Sequence, residues 1–231
     1  MRVKGLPSVQ ETACPRLKSR YLQKELNEIY TPTPDELIWA EQNTRGDVAH
    51  LGLLVLLKIF QRLGYFVPLT EIPEAITNHI AQSAGVPLRS SDAWNKYHES
   101  GTHKRHRALS RDYLGIRFFD GEARQITVYA MTEVALVKDE PVDLVNVAIE
   151  TLIQQNFELP AFNTLAEAAR HIHAQSYREV SHKIYQPLDP GAIKALDDLF
   201  QTTAQSLTHP QLCLINRRNI LEKELMVALS K

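Results

Sequence analysis

Between Val48 and Phe66 the chain reads VAHLGLLVLLKIFQRLGYF, and no other stretch constrains the fold as strongly. Wound as a helix, it carries apolar residues on every side, which predicts a helix buried all round rather than one resting on a surface. Lys58, Gln61 and Arg62 interrupt it, leaving an unbroken apolar stretch well short of the roughly 20 residues a membrane-spanning helix needs. Such a helix has to be wrapped by others.

The flanking sequence supplies them. YTPTPDELIWAEQNT places two prolines ahead of Asp35, which predicts a helix from about Pro34 to Gln42. Asp47 is the expected cap of the apolar helix and Gly64 its expected end. Thr70 is the expected cap of a helix with Ile72, Ile76, Ile80 and Ala84 four residues apart, closed by Gly85 and Pro87. A short helix over Ser91 to Tyr97 and a basic helix from Thr102 to Gly115 follow. Beyond Gly121, two helices of about 16 residues meet at KDEPVD. A longer one then carries Leu165, Ala169, Ile172, Val180 and Ile184 as a stripe. DPGAIKALDDLF, with Asp189 as cap, reads as a last short helix. No segment alternates with a two-residue period, so the expected fold is all-α with about nine helices. It divides into two helical, helix-turn-helix-like subdomains of four to five helices each. The expected bounds are a partly ordered extension over 1–30, subdomains over 31–118 and 119–206, and a tail over 207–231.

The 231 residues carry a formal net charge of −1, which excludes a uniformly basic surface and leaves any anionic partner to local patches. Cys14 and Cys213 stand far apart with no CxxC spacing, arguing for a reducing compartment and against a disulfide framework or a zinc knuckle. The first residues lack a continuous apolar signal core, so cytoplasmic residence is the expected location.

The strongest local patch is SGTHKRHRALSRDYLGIRFF, residues 100–119. At 100° per residue Lys104, Arg107 and Arg111 share one narrow sector, flanked by His103 and Arg105, while His106, Leu109 and Tyr113 lie opposite. Only Glu99 and Asp112 are near enough in sequence to pair these cations. A helix of that kind fits a major groove and offers guanidinium groups to phosphates and guanines; an ordinary solvated charged face is the competing reading. His98, His103 and His106 lack a cysteine or clustered carboxylate to complete a metal site. A weaker basic face on the long helix, His171, Gln175, Arg178 and His182 with Arg170 and Lys183 beside it, reads first as solvated surface. There is no nucleophile elbow, P-loop, GxGxxG or HExxH, and the expectation is no cofactor, no metal and no small-molecule substrate.

The order of four blocks resembles a known family. TRGDVAHLGLLVLLKIFQRLGYF, EIPEAITNHIA, SGTHKRHRALSRDYLGIR and NFELPAFNTLAEAAR follow one another as in the N-terminal region of replicative transposases of the Tn-three family. The first block matches through Arg45, Leu51, Gly52, Leu56, Leu57, Lys58, Phe60, Gln61, Gly64 and Phe66, with Ala49 and His50 departing from the usual Asn-Arg. The second keeps Ile72 and Pro73. The third keeps Ser100, Gly101, Thr102, Lys104, His106, Arg107, Arg111, Leu114, Gly115 and Arg117. The likeness covers roughly residues 22–200.

The resemblance implies tandem helical DNA-binding subdomains that recognise the terminal inverted repeats of a transposon. It also implies that the family's catalytic domain, with its three metal-binding carboxylates, lies much further along the polypeptide. The chain on this reading looks like a truncated transposase and not an enzyme in itself. Its expected partners are double-stranded DNA and full-length transposase, with no membrane. The expected DNA-binding residues are Arg45, Thr102, His103, Lys104, Arg105, Arg107, Arg111 and Arg117, and more weakly Lys58, Arg170, His171, Arg178 and Lys183. The alternative is a helical protein-interaction module that contacts transposase without specific DNA binding.

Overall fold

A computed structural model describes residues 8–87, 91–138 and 140–185, together with scattered positions from 189 to 198. Among these residues nine α-helices follow one another: α1 Gln23–Ile29, α2 Pro34–Asn43, α3 Asp47–Leu63, α4 Glu74–Ala84, α5 Ser91–His98, α6 Gly101–Leu114, α7 Gly121–Ala135, α8 Pro141–Gln154 and α9 Phe162–Tyr185. No strand occurs among them; the single β-like feature is an isolated parallel bridge between Arg117 and Phe157. The all-α expectation is met. Compact units run Met1–Tyr177 and Arg178–Lys231. In the second, Asp189 Oδ1 accepts from Gly191 N at 2.7 Å and Ala192 N at 3.0 Å, the capping role expected of it. The remainder of the helix expected over 189–200 falls largely outside the described residues, as does the tail 207–231.

Helix α3 is buried all round, as its composition demands. Every residue from Leu51 to Phe60 is buried, and each large apolar side chain among them contributes about 1.5–3 kcal/mol on leaving water. Lys58 is the exception in kind: only 7% exposed, it sets Nζ 3.2 Å from Oε2 of the equally buried Glu36 on α2. Gln61 Nε2 donates to the other carboxylate oxygen. The ammonium is therefore paired inside the core, where removing either partner would strand a charge.

The helix ends follow local chemistry, in places one residue away from the sequence reading. Thr33 caps α2, accepting from Glu36 N, while Glu36 returns the bond to Thr33 N. The expected Asp47 cap of α3 is displaced: Gly46, at φ 84°, holds the cap position and Asp47 opens the first turn. Glycine is the residue that takes this left-handed turn freely. The expected Thr70 cap of α4 is likewise corrected, because residues 69–71 form a separate 3₁₀ turn and Pro73 precedes α4. Thr102 does not start α6; Ser100 does, its Oγ accepting from His103 N at 3.2 Å while donating to Tyr97 O at 2.7 Å. Gly64, Gly85 and Gly115 close α3, α4 and α6 in the left-handed conformation, as expected.

Two hydrophobic cores form within the first unit. One surrounds α3 and gathers Leu26, Tyr30, Ala40, Ile76, Ile80 and Tyr97. The other joins α7, α8 and the start of α9 through Met131, Leu144, Ile149, Leu152, Leu165 and Ile172. The first thirty residues, expected as a partly ordered extension, carry side chains into both. Tyr30 is fully buried in the first core, Cys14 in the second, and Tyr65 Oη donates to Pro15 O at 2.8 Å. Tyr30 supplies the apolar anchor that the polar composition of the stretch conceals.

Packing is close where α3 meets α5. A Cβ on Gly52 would stand 2.3 Å from the ring of Tyr97, so only glycine lets that ring lie against the α3 backbone. Tyr97 Oη in turn bonds His106 Nδ1 at 2.8 Å, fixing α6 on α3. Gly52→Ala should lower the unfolding free energy by about 1–3 kcal/mol; an unchanged urea midpoint would show that the ring is not closely held.

Candidate nucleic-acid interface

The inward face of α6 differs from the one its pattern suggests. His103, His106 and Ser110 are buried, so the core side is rotated toward Arg107 and away from Leu109 and Tyr113, which sit at its margin. Tyr113 is 38% exposed and lies against Trp39 of α2, ring centroids 4.4 Å apart. On this buried face Ser110 Oγ donates to His106 O at 2.9 Å and His106 Nδ1 pairs with Tyr97 Oη, while Nε2 of both His103 and His106 is buried without a hydrogen-bond partner among the described residues. Burial first, and then neighbouring positive charge, pushes both histidines down to about 4.

This rotation separates the basic residues into three groups. Lys104 and Arg105 stand outward and exposed, and among the described residues neither makes a hydrogen bond or ion pair. Arg107 and Arg111 lie on the flank against Phe66, guanidinium carbons 4.7 and 5.8 Å from its ring centre. The expectation that acids are too scarce to pair them holds only nearby in sequence. Glu158, on the turn after α8, puts Oε2 3.0 Å from Arg111 Nη1 and Oε1 3.7 Å from Arg107 Nη2. Burial pushes the Glu158 carboxyl up, with the two arginines opposing. Arg117, past the helix, bonds Glu122 at 3.1 Å and covers the Phe157 ring at 3.8 Å.

The remaining candidates scatter. His103 is buried and Thr102 half-buried in the first turn of α6. Arg45 is exposed on the α2–α3 turn beside Gly46. Lys58 is sealed in the first core with Glu36 and offers nothing to a phosphate. Arg170 and His171 are exposed on α9 in the first unit, and Arg178 and Lys183 are exposed in the second. Sequence reasoning misses Glu158, Phe66 and Phe118. Glu158 carries one weak signal, an acid set between Phe157 and Leu159 before a proline, the setting of a charge about to be buried. Among the described residues no three His, Cys, Asp or Glu side chains gather closely enough to hold a metal ion, and no helix is long and apolar enough to cross a membrane.

An all-helical domain that turns a cationic helix face outward is the class of protein these features define. The match of a family profile to residues 6–172 places the chain in the family described as Domain of unknown function (DUF4158). It is similar to the transposase for transposon Tn21 from Escherichia coli, at 25% identity over 158 residues covering 68% of this chain. It is also similar to the transposase for transposon Tn3926 from Escherichia coli, at 26% identity over 183 residues covering 77% of the chain. The matches span only 16% and 18% of those relatives' lengths. Together with the ordered sequence blocks they support the likeness to the N-terminal region of Tn-three family transposases.

The histidine pair makes the position of α6 sensitive to acid. A folded-state value below the ordinary 6.5 means that the unfolded chain takes up protons first, so stability is full above pH 6.5 and drains as pH falls toward 4. Urea unfolding between pH 7 and 4 should show a loss on the order of a few kcal/mol for the pair. The slope should flatten in His106→Gln; equal slopes in the two proteins would place the proton uptake elsewhere.

Proposed function

We propose that this chain binds double-stranded DNA, specifically the terminal inverted repeats of a transposon, as part of a transposase. The observation that carries the reading is the outer face of α6, where Lys104 and Arg105 stand exposed with no partner among the described residues. A helix with such a face can lie along a major groove with cations on the phosphates and arginine on a guanine edge. Arg45 supplies a further phosphate contact from the α2–α3 turn, and Arg107 and Thr102 line the flank. His103, Arg111 and Arg117 act behind that face as supports, since their side chains are committed to the protein. Arg170, His171, Arg178 and Lys183 are secondary phosphate contacts. The two cores support a division into helical subdomains near residue 118, the first placing α6 and the second steadying it through Glu158. The similarity to transposases favours a nucleic acid over other polyanions, and no catalytic step is assigned to this region.

A second reading, a helical module that docks on transposase itself, draws on the outer side of α7 and the turn after it. Val128, Tyr129, Leu136 and Val137 are between 43% and 69% exposed there, an unusual apolar grouping for a helix facing water. Co-purification with transposase after nuclease treatment would favour it.

Anisotropy titrations with a terminal-repeat duplex and a scrambled duplex separate the two readings. The repeat should bind more tightly. Lys104→Ala with Arg105→Ala should weaken binding and lower the salt slope by about 1 for each phosphate that is no longer neutralised. Equal affinity for both duplexes would sink the specific reading, and an unaltered slope in the double variant would move the interface off α6.

A further inference from the structure

Beside Arg107 of α6 lies an open cleft of about 430 Å³. Its walls include Phe118, Phe119 and Phe162, with Arg107 and Glu158 on one side and Glu71 on the other. Non-helical segments at 66–68 and 158–161 contribute to its lining, and Leu159 N donates to Gly64 O at 2.8 Å. Three features of this cleft are unsatisfied among the described residues. Phe118 is 58% exposed. Arg107 makes no hydrogen bond there: its Nε is buried without a partner, and its Nη2 stands 3.7 Å from Glu158, beyond hydrogen-bond reach. Glu158, only 5% exposed, uses Oε2 for Arg111, while its Oε1 stands 3.7 Å from Arg107 Nη2.

The cleft thus offers apolar walls, a cation and an oxygen of Glu158 that accepts no hydrogen bond among the described residues. A lone phosphate would use only the arginine and would leave Glu158 Oε1 without a donor. A purely apolar side chain would leave Oε1 as it is. We propose that the cleft receives an unstacked nucleobase bearing an exocyclic amine, cytosine, adenine or guanine and not thymine, with its ring on the phenylalanines, its amine donating to Glu158 Oε1 and its phosphate beside Arg107. Base stacking on aromatic side chains accounts for much of single-strand binding, and extrusion of a base from a duplex is a known cost that such a pocket offsets. Thymine presents a carbonyl where cytosine presents the amine, so a carboxylate oxygen at that point discriminates between them. The direction of the Glu158 shift agrees: the two arginines leave its burial incompletely compensated. The inference extends the nucleic-acid reading to the other side of α6, sharing Arg107 with it but requiring no duplex.

The test is an anisotropy titration of the full chain with fluorescein-labelled hexamers of deoxycytidine and of thymidine at low salt. The deoxycytidine hexamer should bind about fivefold more tightly, the worth of one hydrogen bond. Glu158→Gln should bring the ratio toward one. Because that change also touches Arg111, Phe118→Ser provides an independent check at an exposed position: both hexamers should weaken several-fold with the melting temperature unchanged. Equal affinity for the two hexamers, a preference that survives Glu158→Gln, or no effect of Phe118→Ser overturns the proposal. Binding of an acetylated, amidated Gly-Trp-Gly peptide with both hexamers silent overturns it in favour of a polypeptide ligand. If the terminal-repeat duplex fails to bind while the hexamer preference stands, the duplex reading falls and this one remains.

Discussion

The buried carboxylate of Glu158 ties the α3-centred core to the α7–α8 core, and it holds the two flank arginines of α6, Arg107 and Arg111. Arg111 reaches it directly and Arg107 approaches it loosely, while both guanidinium groups lie over Phe66 at the end of α3. Beside it, the bridge between Arg117 and Phe157 holds the two chain segments together through Arg117 N to Asn156 O at 2.7 Å and Glu158 N to Arg117 O at 2.8 Å. A carboxylate so far removed from water is tolerated only with such company. With these two arginines turned to the flank, Lys104 and Arg105 are left as the outward charges of the helix.

Much of this architecture is legible in the chain itself, and the reasons are local. The α3 run cannot be anything but a central helix, and glycines at 64, 85 and 115 end helices where a left-handed residue is required. The departures are of two kinds. Caps shift where a neighbouring residue competes better: Ser100, whose hydroxyl also serves Tyr97, displaces Thr102, and Gly46 displaces Asp47. The inward face of α6 is misplaced by periodicity, which weighs Leu109 and Tyr113 as core and His103 as a flank. Tertiary context shifts this: His106 stays inward as the partner of Tyr97, the ring that fits against Gly52, and His103 packs edge-on against the same tyrosine, while Leu109 keeps only a partly buried contact with the core.

The site is less legible than the fold. Charge counting along the helix finds the cations but not their acid, because Glu158 lies 47 residues beyond Arg111 and no sequence window of helical length contains both. Lys58 shows the same limit from the other side. Its i,i+4 neighbourhood looks like an exposed basic position within an apolar helix, whereas Glu36, 22 residues earlier, draws it into the core. Long-range pairing of charge is set by topology, which the pattern of helices defines only in outline.

What remains is a helix whose sides have separate tasks. One side of α6 is polar yet buried, held to α3 by Tyr97 and His106 and bearing the acid sensitivity of the fold. Its flank is shared with Glu158 and the aromatic cleft. On its outer side Lys104 and Arg105 meet no partner among the described residues. A surface used only for solubility would gain by interspersing acids among them, and only Asp112 does so on that side. Because the flank arginines are anchored through both cores, the outer cations are carried on a support that resists rotation. Rigid presentation of a few cations, rather than a high total charge, is how a chain with a net charge of −1 can still address a polyanion with a preferred orientation.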